Sequence, residues 1–198
     1  MGTTSEEGRE RPRLYLISPP VIDLDAFETA FRDALAGGDV GCFQLRLKDS
    51  PAEEVVAATK RLLPIAEEAN VAFLLNDDVD LAKELGVDGV HIGQDDMPYK
   101  KARAILGPDM IIGVTCKNSK HLAMVAGDDG ADYVAFGAFF PSYTKENTVK
   151  AEPELLAWWS ETTLIPSVAI GGITVENAGI LLESGAEFLA VAGGVWVY

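Results

Sequence analysis

Short runs of apolar residues alternate with amphipathic stretches from Arg13 to the end of the chain. The apolar runs have the length of strands that are buried on both faces of a parallel sheet, and the amphipathic stretches have the spacing of helices with one buried side. The pattern predicts eight strands, over residues 14–18, 40–47, 71–75, 87–92, 110–114, 132–136, 165–170 and 188–191. It predicts seven helices between them, over residues 24–36, 51–69, 79–85, 99–106, 119–128, 153–160 and 175–184.

Eight strands that are each followed by a crossover segment favour an α/β fold, a single (β/α)8 TIM barrel over residues 13–198. The polar residues 1–12 are interpreted as a flexible N-terminal tail. A doubly wound open sheet is the alternative, but the G-x-G-x-x-G sequence of its nucleotide-binding members does not follow the first strand. Three similar tripeptides, Gly86-Val87-Asp88, Gly130-Ala131-Asp132 and Gly185-Ala186-Glu187, indicate a repeated βα unit.

The end of the second predicted strand and the residue after it have the sequence FQLRLK (residues 43–48), in which polar and apolar residues alternate. In an extended strand Gln44, Arg46 and Lys48 share one face. Two cations on a protected face need an anionic partner, because burying unpaired charge is costly. An edge strand with one solvated face would also explain the alternation, so the strand alone does not decide between the two readings.

Other polar residues follow other strands, where a barrel has its catalytic side chains. Asn76 and Asp77 follow the third strand and Asp96 the fourth. Each could cap a helix or a turn. If both carboxylates lie at adjacent strand ends, however, they repel each other, and a hard divalent cation such as Mg²⁺ would relieve the repulsion.

Two further features near the predicted strand ends could have either a structural or a functional role. His91, in the fourth strand, is interpreted as a hydrogen-bonded core residue rather than a ligand or base. Glycines follow the seventh strand at Gly171-Gly172 and the eighth at Gly193-Gly194. They could form tight turns, or they could bind phosphate through their backbone N–H groups.

Composition narrows the class of protein. The 198-residue chain has a formal net charge of −15, which argues against nucleic acid or an anionic membrane as the main partner. No apolar run is long enough to cross a membrane. The two cysteines, Cys42 and Cys116, are expected to be reduced core thiols in a cytoplasmic protein. The oligomeric state stays open, and a homo-oligomer is one alternative.

Five segments together resemble thiamine-phosphate synthases, in the same order and across residues 14–195. They are the sequences QLRLK (residues 44–48), NDDVD (76–80), GVHIGQDD (89–96), PSYTK (141–145) and AIGGI (169–173). The resemblance implies a barrel enzyme that joins 4-amino-2-methyl-5-hydroxymethylpyrimidine diphosphate to a thiazole ethyl phosphate. Diphosphate is released, with Mg²⁺ as cofactor.

The resemblance also implies residue roles. The pyrimidine diphosphate would contact Gln44, Arg46, Lys48, Asn76, Thr115 and Lys145, of which Arg46, Lys48 and Lys145 would act in catalysis. The thiazole phosphate would contact Ser142, Tyr143, Thr144, Gly172, Ala192 and Gly193. Asp77 and Asp96 would bind the Mg²⁺.

The sequence departs from the family pattern at a few positions. Ser142 stands where threonine is usual, Thr115 where serine is usual, and Gly193 where serine is common. The last change removes a hydroxyl donor from the predicted phosphate site. A thiazole tautomerase-like enzyme, or a non-catalytic paralogue that only binds a phosphate, remains the alternative on the same barrel.

Overall fold

The computed structural model describes residues 11–141 and 149–196. Each strand pairs in parallel with the next, and the last pairs with the first, so the sheet closes into an eight-stranded barrel. The strands are β1 (Arg13–Ile17), β2 (Val40–Leu45), β3 (Ala72–Asn76), β4 (Gly89–Ile92), β5 (Ile111–Lys117), β6 (Tyr133–Phe136), β7 (Ser167–Ile170) and β8 (Phe188–Val191). The helices of the described residues are α1 (Leu24–Gly37), α2 (Ala52–Glu68), α3 (Val79–Leu85), α4 (Tyr99–Leu106), α5 (Lys120–Asp129), α6 (Glu154–Thr162) and α7 (Ala178–Glu183).

The predicted (β/α)8 barrel is therefore confirmed, with corrections to element ends. The second strand ends at Leu45, not Leu47, because the amide of Arg46 leaves the strand ladder and donates to Ser18 Oγ at 2.8 Å. Arg46 and Lys48 consequently lie in the loop that follows β2 and not on the strand face. The fifth strand continues beyond its predicted end to Lys117, which pairs with Phe136 after an irregularity in the register.

Apolar side chains form two layers, one on each side of the barrel wall. The larger layer fills the space between strands and helices, where Phe31, Phe43 and Phe73 are fully buried and the ring centroids of Phe31 and Phe43 lie 4.3 Å apart. The smaller layer fills the barrel interior and contains two tyrosines, Tyr15 and Tyr133. Because both faces of each strand are buried, the strands read as almost continuous apolar runs.

An acidic residue immediately precedes each even-numbered strand and binds the start of the strand before it. Asp88 accepts a hydrogen bond from the Phe73 amide, and Asp132 accepts one from the Ile112 amide, both at 2.7 Å. Glu187 binds the amide of Ser167 at 2.9 Å, and Asp39 pairs with the Arg13 side chain at 2.7 Å. The three similar tripeptides of the sequence are thus the bases of three strand pairs, and Asp39 completes a fourfold pattern at the N-terminal end of the barrel.

Candidate active site

Asp77 and Asp96 approach each other at the C-terminal ends of β3 and β4. Partial desolvation and the neighbouring Asp96 carboxylate raise the pKa of Asp77 to about 6, against the smaller opposing effects of Asn76 and Arg46. The Asp77 side chain remains accessible to solvent, so we attribute much of the rise to the like charge of Asp96. The prediction that these two carboxylates meet is confirmed.

Helix capping explains neither member of this pair. Asp78, not Asp77, is the N-cap of α3, and its side chain accepts from the Leu81 amide at 2.9 Å. Asp77 has a φ of +63°, a left-handed conformation that is uncommon outside glycine. Asp96 instead accepts from the amide of Gly93 at 2.8 Å and so closes the turn after β4. The local backbone thus directs Asp77, rather than its neighbour Asp78, and Asp96 toward the barrel mouth.

The donor set of this pair fits Mg²⁺. Within residues 11–141 and 149–196 there is no group of three or more His, Cys, Asp or Glu side chains that could hold a metal. Mg²⁺ does not need such a cage, because it is usually bound by one or two carboxylates together with substrate phosphates and water. Two facing carboxylate groups, of which one has a raised pKa, are the kind of arrangement that a hard cation stabilises.

Gln44 and Asn76 connect this acidic pair to the barrel interior. Gln44 is buried in the inner face of β2, and its Nε2 donates to Asn76 Oδ1 at 2.8 Å. The Asn76 amide nitrogen in turn donates to Asp77 Oδ2. Both predicted substrate-binding amides therefore lie together at the mouth, and each has a fixed orientation.

Thr115 reaches the same mouth from β5. Its Oγ1 lies 2.7 Å from His91 Nε2, and its backbone carbonyl accepts from Gln94 Nε2 at 2.6 Å. His91 also contacts the Tyr133 hydroxyl through Nδ1 at 2.8 Å. His91 is therefore hydrogen-bonded at both ring nitrogens, as expected, but it is half-buried and not a fully buried core residue. Its partner Thr115 is the hydroxyl that the family resemblance places near the pyrimidine.

Arg46 and Lys48 both lie on the loop after β2, and Arg46 lies next to the acidic pair. Arg46 is half-buried and its charge acts to lower the pKa of Asp77, which places the guanidinium near that carboxylate. Lys48 is exposed. A cation and two carboxylates at one mouth give an anionic ligand a positive partner and a metal ion its ligands.

Glycine turns follow β7 and β8 as predicted, and the first has a steric reason. Gly172 has a φ of +61°, and a Cβ there would lie 2.2 Å from the Pro141 carbonyl oxygen. A Cβ on Gly171 would lie 2.5 Å from that of Ala138. The loop after β6 therefore packs directly onto this turn.

The turn after β8 is more open. Gly193 is exposed, and the Ala192 carbonyl accepts hydrogen bonds from the Val195 and Trp196 amides. Phosphate binding at these turns stays a prediction.

Four predicted site residues, Ser142, Tyr143, Thr144 and Lys145, lie outside the described residues. Tyr15 and Tyr133 were not among the predicted site residues, and their hydroxyls hydrogen-bond each other at 2.8 Å inside the barrel. Their place on the inward-facing positions of β1 and β6 could have indicated a polar contact inside the barrel. The indication is weak, because tyrosines also occur as core residues and the sequence does not show that these two strands face each other.

The fold and the site together define a (β/α)8-barrel enzyme with an acidic pair, amides and a cation at the carboxyl ends of its strands. More specifically, the chain belongs to the family described as "Thiamine monophosphate synthase", whose sequence profile matches residues 14–195.

Individual relatives agree with this assignment. The chain is 58% identical to the thiamine-phosphate synthase of Rhodospirillum centenum over 93% of its own length and 89% of the relative's. It is 54% identical to the thiamine-phosphate synthase of Hyphomonas neptunium over 98% and 90% of the two chains. A solved thiamine phosphate pyrophosphorylase from Pyrococcus furiosus superimposes with a TM-score of 0.78 at 34% identity, over 91% of this chain and 85% of that one.

Proposed function

We propose that this protein is a thiamine-phosphate synthase, a transferase that couples 4-amino-2-methyl-5-hydroxymethylpyrimidine diphosphate with a thiazole ethyl phosphate. The observation that carries the proposal is the meeting of Asp77 with Asp96, beside Asn76 and Arg46, at the mouth of a barrel of this family. Carboxylates for a cation and a guanidinium for an anion are the groups that diphosphate release requires.

The reaction breaks the bond between the pyrimidine methylene carbon and the diphosphate oxygen. The electron pair leaves with the diphosphate, and the thiazole nitrogen then supplies a pair to the same carbon. No side chain has to act as a nucleophile, so the protein accelerates the reaction by alignment and by electrostatic stabilisation of the leaving group. Arg46 and Lys48 would neutralise the departing diphosphate, with Lys145 as the further predicted cation.

The buried amide of Gln44 and its partner Asn76 would orient the pyrimidine, and Thr115 would contact it from β5. Asp77 and Asp96 would hold Mg²⁺, which supplies positive charge to the diphosphate when it is bound. The thiazole phosphate would bind the turns at Gly172, Ala192 and Gly193, together with Ser142, Tyr143 and Thr144. Glycine permits backbone N–H groups to approach a phosphate closely.

Turnover tests the proposal directly. Purified protein with both substrates and Mg²⁺ should release diphosphate and form thiamine phosphate in equal amounts, and Arg46→Ala should lower kcat at least tenfold by removing a charge that is felt most in the transition state. The exposed Asp95→Asn is the matched surface control and should keep full activity. Binding of the thiazole phosphate without any diphosphate release would instead favour a non-catalytic paralogue.

The phosphate site has its own test. Gly193→Val should raise KM for the thiazole phosphate more than tenfold and leave KM for the pyrimidine diphosphate nearly unchanged. An unchanged KM for both substrates would show that Gly193 only forms a turn and does not bind the phosphate.

We also propose a cytoplasmic enzyme. Cys42 and Cys116 are both buried and free, and burial raises the pKa of both thiols, that of Cys116 to about 12, so neither thiol is primed for disulfide formation. None of the described helices is long and apolar enough to cross a membrane.

The oligomeric state is a separate question. Sedimentation equilibrium would measure whether the protein forms a homo-oligomer.

A further inference from the structure

A continuous chain of hydrogen bonds crosses the barrel interior from the acidic pair to Thr115. Its members are Asp77, Asn76, Gln44, Tyr15, Tyr133, His91 and Thr115, which belong to β1, β2, β4, β5 and β6 and the end of β3. Its middle part is deeply buried, since Tyr15, Gln44 and Tyr133 are 3%, 3% and 7% exposed. Chains of this kind are polarised, because each hydroxyl has a single proton to donate.

The direction of the chain follows from its acidic end. The Asp77 carboxylate accepts from the Asn76 amide nitrogen, so the Asn76 oxygen faces Gln44 and accepts from Gln44 Nε2. The Gln44 oxygen is left to face Tyr15, and it can only accept. Reversing Gln44 would also reverse Asn76 and place its oxygen against the Asp77 carboxylate.

The two tyrosines transmit this direction. Tyr15 donates its one proton to Gln44 Oε1 at 3.3 Å, so its oxygen accepts from the Tyr133 hydroxyl at 2.8 Å. Tyr133 has then used its proton and can only accept from His91 Nδ1, also at 2.8 Å. Cys42 also interacts with the Tyr15 hydroxyl, but a thiol is a weaker acceptor than an amide oxygen.

We propose that Tyr15 and Tyr133 are positioning residues that hold His91 in the tautomer with the proton on Nδ1, so that Thr115 donates to His91 Nε2 and presents only lone pairs to the substrate. In the neutral imidazole the second nitrogen is an acceptor, and Thr115 Oγ1 lies 2.7 Å from it. With its proton used in this way, Thr115 accepts a hydrogen bond from an N–H group.

This assignment gives the mouth a chemical preference, and it rests on the proposed function for the identity of the substrate. A pyrimidine that carries an amino group satisfies the lone pairs of Thr115, whereas the same ring with an oxo group would place two acceptors against each other. Such mismatches are costly in a desolvated site. The preference is set from a distance, since Tyr133 and His91 lie between Tyr15 and Thr115 in the chain of hydrogen bonds.

Nitrogen-15 NMR of the untagged protein, labelled at histidine, tests the tautomer without any substrate. The chain has two histidines, and the exposed His121 on α5 is an internal reference. At a pH above the ordinary histidine pKa, we expect protonated Nδ1 and unprotonated Nε2 at His91. In Tyr15→Phe, Tyr133 loses its acceptor and turns its proton to Nδ1, so the tautomer ratio should shift tenfold or more toward Nε2–H.

Tyr133→Phe removes the acceptor of Nδ1 and should shift the same ratio in the same direction. Tyr99→Phe is the matched control, because it removes a hydroxyl that donates to the Gly130 carbonyl on the outside of the barrel. It should leave the His91 signals unchanged. His91 that carries its proton on Nε2 in the unaltered protein, or that keeps the Nδ1 proton in Tyr15→Phe, would overturn the proposal.

A second measurement separates this inference from the proposed function. The dissociation constant of the aminopyrimidine diphosphate should rise about tenfold in Tyr15→Phe, and that of inorganic diphosphate should not change. A tautomer shift with unchanged affinity for the aminopyrimidine would exclude a role in substrate positioning. Absence of turnover in the unaltered protein would refute the proposed function and leave the NMR result standing.

Discussion

The Asp77 carboxylate faces Asp96 across the ends of β3 and β4, and together with partial desolvation this neighbour raises the pKa of Asp77 to about 6. Like charges held close together are unfavourable unless a cation or a proton intervenes. The local backbone keeps them together, since Asp78 rather than Asp77 caps α3 and Asp96 is held by the Gly93 amide. The repulsion between the two carboxylates should therefore lower the stability of the metal-free protein by a measurable amount.

Asp96→Asn should stabilise the metal-free protein above about pH 6, because the folded state then no longer holds two facing charges. The folded protein keeps the Asp77 proton up to about pH 6, whereas the unfolded chain releases it near pH 3.8, so stability falls as the pH rises between these values. Since Asp77 is solvent-accessible, we expect a gain of only about 1 kcal/mol at pH 7. Denaturant unfolding at pH 4 and pH 7 measures it. A gain that is equal at both pH values would mean that Asp77 is not the group involved.

Mg²⁺ should stabilise the folded protein, because a ligand that binds only the native state raises its melting temperature by mass action. The rise should disappear in Asp77→Asn and Asp96→Asn and persist in Asp95→Asn, whose side chain is exposed next to the pair. Differential scanning calorimetry with Mg²⁺, with diphosphate and with both gives the readout. Equal shifts in all four proteins would remove these two aspartates from the metal site.

Asp132→Asn should destabilise the protein by about 1–3 kcal/mol. Asp132 Oδ2 accepts from the Ile112 amide at 2.7 Å and from Arg103 at 2.6 Å, and the amide keeps the shape but loses the charge that strengthens both bonds. Asp128→Asn, on the exposed side of α5, should change stability by less than about 0.5 kcal/mol. Urea unfolding compares the two, and equal losses would show that the carboxylate at the base of β6 has no special role.

Gly172→Ala should cost about 1–3 kcal/mol. The new Cβ would meet the Pro141 carbonyl oxygen at 2.2 Å, and the φ of +61° is itself unfavourable for alanine. Gly179→Ala is the control, because a Cβ there meets nothing within 4 Å and α7 should gain about 0.5–1 kcal/mol of helix propensity. Thermal melting of both variants tests this. An unchanged melting temperature in Gly172→Ala would show that the loop after β6 moves to accommodate the new Cβ at little cost.

The order and type of the elements follow from the sequence, because a strand buried on both faces leaves a short continuous apolar run and a helix buried on one face leaves a period of 3.6 residues. The same local logic places polar residues such as Gln44, Asn76 and Asp96 at strand ends. It also shows the repeated tripeptide with an acidic third residue, although not the partner of that residue, since the bond from Asp132 to Ile112 joins different strands.

Tertiary structure decides what those residues do. Asp77 and Asp78 are equivalent in sequence, but the left-handed backbone at Asp77 sends one toward Asp96 and leaves the other to cap α3. Tyr15 and Tyr133 are 118 positions apart and look like core residues, and only closure of the barrel brings their hydroxyls to 2.8 Å. Local periodicity reports which face of an element is buried, whereas the direction of a hydrogen bond depends on partners that distant strands supply.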